Sequence, residues 1–173
     1  MARRSAGLSK AGSPPDLEAR VAPGDHQALR AWLRLLATSN LIEGHVRRRL
    51  HEQFRITLPR FDLLAQLYRE PRGLKMGELS RRMMVTGGNV TGVAAPLERD
   101  GLIARRQDPR DGRASYLTLT DAGRSQFRAM AEKHEQWIVE LFADVPRTGV
   151  RDLTALLGLV KDSVRSRAGR GGR

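Results

Sequence analysis

The apolar residues of this chain recur at helical spacing almost throughout, but between Gly101 and Thr120 the period drops to two. Leu102 to Gln107 and Ser115 to Leu119 read as two strands, the second alternating through Tyr116-Leu117-Thr118-Leu119. The turn formers Asp108-Pro109-Arg110-Asp111-Gly112-Arg113 stand between them. One hairpin inside a helical chain predicts a mainly α fold with a small β-hairpin.

The helices follow from their start and stop signals. Asp25 is placed to cap a first long helix carrying Leu29, Trp32, Leu33, Leu36, Ile42, Val46 and Leu50. Thr57-Leu58-Pro59 marks a second start, since proline suits a first helical turn, and Pro71 and Gly73 end that helix. A short third helix spans Met76 to Met83, and a fourth runs from about Thr86 to Gly101, a residue suited to a left-handed cap. Thr120-Asp121 caps a fifth, with Phe127, Met130, His134, Trp137, Ile138 and Leu141 on its inner side. After Pro146 a sixth carries Val150, Leu153, Leu156, Leu157 and Val160. Residues 1–24, with their Ser, Gly and Pro, read as a flexible basic arm, and 165–173 as a frayed basic tail.

Charge narrows the partners. The net charge is +12, of which 72–113 contribute +4. Cationic surfaces attract nucleic acid by releasing its counterions. The chain has no cysteine, no run of 18 apolar residues and no secretory h-region at its start, so the reading is a cytoplasmic protein without disulfides or a membrane span. His26, His45, His51 and His134 stand at no metal-ligand spacing, and neither a nucleophile elbow nor a phosphate loop occurs. No enzyme activity, metal or cofactor is expected.

Two short helices followed at once by a basic hairpin form a reading head for duplex DNA, a winged helix-turn-helix lobe at about 57–120. Leu79, Met83, Val85, Val90, Val93 and Leu97 are the expected shared core of the third and fourth helices. The fourth helix then projects into a major groove about 12 Å wide. Its start, Thr86-Gly87-Gly88-Asn89-Val90-Thr91, is poor helix material, yet small residues let backbone amides approach a phosphate. Asn89 is suited to a base edge and Thr91 to a thymine methyl. The glycines also fit a loose turn. Arg105, Arg106, Arg110 and Arg113 form a cationic hairpin tip, with Asp111 placed to orient Arg113. The apolar stripes at both ends of the chain exceed what such a lobe needs, which predicts a homodimer through helical regions at about 25–55 and 121–164.

Gly77-Glu78-Leu79-Ser80, Val85 to Thr91, Leu97-Glu98-Arg99-Asp100-Gly101-Leu102-Ile103, Asp108 to Arg113 and Leu117 to Gly123 together resemble the MarR family of regulators, as does Leu58-Pro59-Arg60-Phe61-Asp62-Leu63-Leu64. The similarity covers about 25–164. It implies a homodimer with interleaved first, fifth and sixth helices, bound to a near-palindromic double-stranded operator, with Arg113 as the wing arginine held by Asp111. Two features depart from the family pattern. Ala95-Pro96 replace a common acidic-basic pair, so the fourth helix is expected to bend, and Gly112 replaces a frequent arginine.

The resemblance also implies a ligand-responsive repressor released by a small aromatic effector. Trp32, Leu36, Asn40, Phe61 and Tyr68 come from elements expected to converge on that ligand, although each aromatic also reads as ordinary core. Trp32 to Leu36 and Leu58 to Phe61 resemble a subgroup answering to aromatic acids or their coenzyme A thioesters, such as aroyl- or hydroxycinnamoyl-CoA. Arg47, Arg48 and Arg49 then suit a nucleotide phosphate, or else form a solvated face. The competing reading is an architectural DNA-binding protein with neither ligand nor sequence preference.

Overall fold

The structure is a computed structural model that describes residues 26–108 and 111–169, with backbone alone at 108 and 111–114. Along the chain lie α1 (Gln27–Phe54), α2 (Leu58–Tyr68), β1 (Leu74–Lys75), α3 (Met76–Met83), α4 (Gly87–Arg99), β2 (Ile103–Asp108), β3 (Asp111–Leu119), α5 (Asp121–Leu141) and α6 (Arg147–Ala168). Asp25, the arm and residues 170–173 fall outside the described residues. Two units divide inside α1, Met1–His45 and Val46–Arg173. In the described part of the first, no side chain is fully buried, and Trp32 and Leu41 are more than half exposed.

The second unit is built around α2. Leu63, Leu64 and Leu67 are fully buried there, and they meet a core that includes Leu79 of α3, Val90, Ala94 and Leu97 of α4, Leu117 of β3, and Phe127, Met130 and Trp137 of α5. Of the expected α3–α4 core, Leu79, Val90 and Leu97 are buried, while Met83, Val85 and Val93 stay half-exposed. Ala94 of α4 is buried as well. Phe61 stacks on Phe127 at 5.4 Å and on His134 at 5.1 Å, and Tyr68 lies 4.9 Å from Phe127.

The sheet is larger than one hairpin. β3 pairs antiparallel with β2 on one side and β1 on the other, giving the order β1-β3-β2. β1 was not legible in the sequence, because two residues show no period. Gly73 makes that strand fit: its φ is +89°, and a Cβ there would stand 2.6 Å from the Leu117 carbonyl oxygen. The second strand also begins earlier than expected, at Asp111 rather than Ser115. Asp108 pairs with Asp111 after a register irregularity at Gln107/Asp108, so residues that read as turn formers join the ladder.

Capping fixes the joints. α4 ends in a Schellman motif: the Leu102 amide donates to the Leu97 carbonyl at 2.9 Å, the Gly101 amide donates to Glu98 at 3.0 Å, and Gly101 has φ +69°. α5 begins where Thr120 Oγ1 accepts from the Gly123 amide at 3.0 Å and donates to the Gly101 carbonyl at 2.7 Å. A side chain on Gly123 would overlap the Leu102 carbonyl, so the start of α5 lies directly on the exit of α4. α6 differs in kind, since none of its residues is buried and Leu153, Leu156, Leu157, Leu159, Val160 and Val164 are exposed. It continues past Val164 to Ala168, so the first residues of the basic tail, expected to fray, are helical.

Candidate DNA interface

The turn between α3 and α4 aims the second helix. Met84 holds it with φ 55°, the Val85 amide donating to the Ser80 carbonyl and the Ser80 hydroxyl donating back to the Val85 carbonyl. This is again a Schellman closure, with methionine at a position that favours glycine. On the α3 side, Arg82 bridges Glu70 at 3.0 Å and Glu78. Both hydrogen bonds raise the arginine's pKa, and the one to Glu70 ties α3 to the segment that leaves α2.

Thr86 is the N-cap of α4 and accepts from the Asn89 amide at 3.4 Å, and the Thr91 hydroxyl donates to the Gly87 carbonyl at 3.2 Å. Val90, Ala94 and Leu97 face the core, which turns Gly88, Thr91, Gly92, Ala95 and Arg99 outward. Gly87 and Asn89 are also exposed. A methyl group on Gly87, Gly88 or Gly92 would meet no atom within 4 Å. The protein's own packing therefore does not require these glycines, although glycine inside a helix costs about 1 kcal/mol relative to alanine. At Gly87, Gly88 and Gly92 the outer surface of α4 is bare backbone.

Pro96 lies within α4, but the helix continues unbroken to Arg99. Without an amide, Pro96 leaves the Gly92 carbonyl without its usual donor four residues on.

Arg105 and Arg106 of β2 do not point the same way. Successive strand residues face opposite sides. Arg105 pairs in register with Leu117, on the inner face, and Arg106 with Tyr116, on the outer. Arg105 turns back to α4: its Nε and Nη2 donate to the two carboxylate oxygens of Glu98 at 3.0 and 2.9 Å, and Nη1 donates to Ser115 Oγ at 3.2 Å. The hydrogen bonds from Arg105 hold the Glu98 carboxyl below the ordinary glutamate range. Arg105 was expected at the cationic tip, and instead it ties the sheet to α4. Arg106 is exposed, and the ring of its register partner Tyr116 carries Lys75 at 5.2 Å. Arg110 lies outside the described residues, as do the side chains of Asp111 and Arg113.

The five candidate effector residues divide between the units. Trp32 and Asn40 are exposed and Leu36 half-buried in the first. Phe61 is core in the second, and Tyr68 is half-buried beneath Arg124, 5.2 Å away. Burial against Phe61 lowers the pKa of His134. None of the five lines a trough of about 630 Å³ formed by Arg47, His51, Ile56, Thr57, Leu58, Pro59, Arg60, Gly92 and Val93.

Two short helices joined by a tight turn, with a three-stranded wing tied to the second, define a winged helix-turn-helix protein. The family model for the MarR family matches residues 56–115. Among curated proteins the chain is similar to the HTH-type transcriptional regulator YkoM of Bacillus subtilis, 35% identical over 56% of this chain and 62% of that protein. It is also similar to the transcriptional activatory protein BadR of Rhodopseudomonas palustris, 31% identical over 61% of each. The chain thus matches about three-fifths of the length of these relatives. Among solved structures, a MarR family transcriptional regulator from Silicibacter pomeroyi superposes with a TM-score of 0.70 at 33% identity, over 82% of this chain and 99% of the other. MepR of Staphylococcus aureus in complex with DNA gives a TM-score of 0.66 at 25% identity, over 77% and 96%. The chain belongs to the MarR family, whose members are transcription regulators and not enzymes.

Proposed function

We propose that the chain is a sequence-specific, double-stranded DNA-binding transcription regulator acting as a homodimer in the cytoplasm. The observation that carries the reading is the outer face of α4, where Gly87, Gly88 and Gly92 open onto empty space beside Asn89 and Thr91. A helix without side chains at these three positions lets a duplex come to its backbone there, and the two polar residues supply base-edge and methyl contacts. The likeness to MepR, solved with DNA, supports the same use of the fold. Arg106, Arg110 and Arg113 are the wing's phosphate or minor-groove contacts in this reading, Asp111 orients Arg113, and Thr86 caps the helix that reads. Arg105 acts through Glu98 by holding the wing against α4.

The exposed leucines and valines of α6 support the dimer, because so long an apolar stripe is stable in water only when covered. A two-fold pair with recognition helices about 34–36 Å apart reads a near-palindromic operator. Footprinting tests this reading. A short symmetric protected site that survives competitor DNA supports it, while uniform coverage supports an architectural protein instead.

The finer reading is a repressor released by a small aromatic acid or its CoA thioester. It rests on the subgroup resemblance at Trp32 to Leu36 and Leu58 to Phe61. Hydroxycinnamoyl- or benzoyl-CoA, but not free CoA, is expected to weaken operator binding, by a coupling of about 1–3 kcal/mol. A titration without effect removes it. Because BadR is named an activatory protein, a reporter fused to the operator decides the sign.

A further inference from the structure

We infer that the trough between the end of α1, the start of α2 and the flank of α4 is a seat for the DNA sugar-phosphate backbone, a contact beside those of the outer face of α4 and of the wing. The inference rests on the DNA-binding reading and extends it to Arg47, His51 and Arg60, which lie outside the recognition helix and the wing. Arg47 and His51 stand one helical turn apart on α1, and Arg60 stands in the first turn of α2. None of the nine lining residues is acidic. Ile56, Leu58, Pro59 and Val93 supply the apolar part of the wall, and Gly92 brings the backbone of α4 to its edge.

Position and openness select the occupant. α4 buries Val90, Ala94 and Leu97, so Asn89 and Val93, four residues apart, share one flank, and the trough opens on that flank. A helix about 10–12 Å across fills a major groove about 12 Å wide, so a sugar-phosphate strand must run along each side of it. With no side chain at Gly88 and Gly92, the duplex settles closer, and one strand is brought over Arg60, Arg47 and His51. Small-molecule sites enclose most of their ligand. Here Arg47, His51, Thr57, Pro59 and Gly92 are all exposed, so a small acid would lie half in water. A polyanion passing across the trough requires no enclosure. The guanidinium groups of Arg47 and Arg60 suit phosphate oxygens.

The test uses the full chain and a duplex selected by the wild type from a random-sequence library. Affinity is measured against KCl concentration for the wild type, Arg60→Gln, Arg47→Gln and, as a charge-matched control on α6, Arg147→Gln. Each phosphate contact contributes about 0.9 to the slope of log affinity against log salt. Arg60→Gln and Arg47→Gln are each expected to flatten the slope by about 1 and to weaken selected and scrambled duplexes by the same factor. Arg147→Gln is expected to keep the wild-type slope. Wild-type slopes for both trough variants overturn the inference while leaving the DNA-binding reading intact. If, in addition, millimolar benzoate releases the duplex from the wild type but not from the variants, the trough holds a small organic acid instead. A wild type that selects no duplex ends both readings together.

Discussion

Glu98 of α4 and Arg105 of β2 face each other through two parallel hydrogen bonds of 3.0 and 2.9 Å, and the same guanidinium reaches Ser115 of β3. A fork-to-fork pair fixes angle as well as distance, so the wing cannot swing freely about the exit of α4.

Removing that fork should loosen the wing more than it destabilises the fold. Both partners are partly exposed, so solvent screening limits the contribution of the pair to about 0.5–1 kcal/mol. Because the Glu98 carboxyl is held below its ordinary range, its stabilisation is present at neutral pH and disappears as pH falls through that lowered value. Urea unfolding of the wild type and Glu98→Gln should therefore differ at pH 7 and converge in strong acid. A gap that persists at low pH would mean that the ion pair is not its source.

Met84 sits at φ 55° with its side chain 92% exposed, a left-handed position where a Cβ is strained and no packing compensates. Met84→Gly should raise stability by about 0.5–1 kcal/mol, net of the greater freedom glycine has when unfolded. Met84→Val should lower it. Thermal melts of the three proteins check the order.

For Gly92, stability and binding should move in opposite directions. Open space surrounds the position, so Gly92→Ala is expected to stabilise α4 by about 0.5–1 kcal/mol. The same methyl stands where the duplex approaches, so affinity should drop at least several-fold. Chemical denaturation and a mobility-shift titration on one preparation give both numbers. Unchanged affinity would show that this face does not meet DNA.

Leu156 is 60% exposed on a helix that buries nothing. If a second copy covers α6, Leu156→Glu should shift sedimentation equilibrium toward monomer, and the melting midpoint of the wild type should rise with protein concentration. Concentration-independent melting would argue for a monomer.

What the sequence disclosed depended on the range over which each cause acts. Gly101 and Thr120 were legible as caps because their signals are local, a glycine before Leu102 and a hydroxyl before Asp121. Thr57-Leu58-Pro59 was legible as a helix start for the same reason. The tie from Arg105 to Glu98 was not legible because it depends on register: only with Leu117 set opposite it does the arginine reach α4. β1 escaped because two residues have no period, and Gly73 was read only as a stop. The trough at Arg47, His51 and Arg60 joins three segments that no spacing rule connects.

The contact of Gly123 with Leu102 carries a mechanical consequence. Since there is no room for a Cβ between the first turn of α5 and the Leu102 carbonyl, a displacement of α5 toward that point has to be taken up by the segment that joins α4 to the wing.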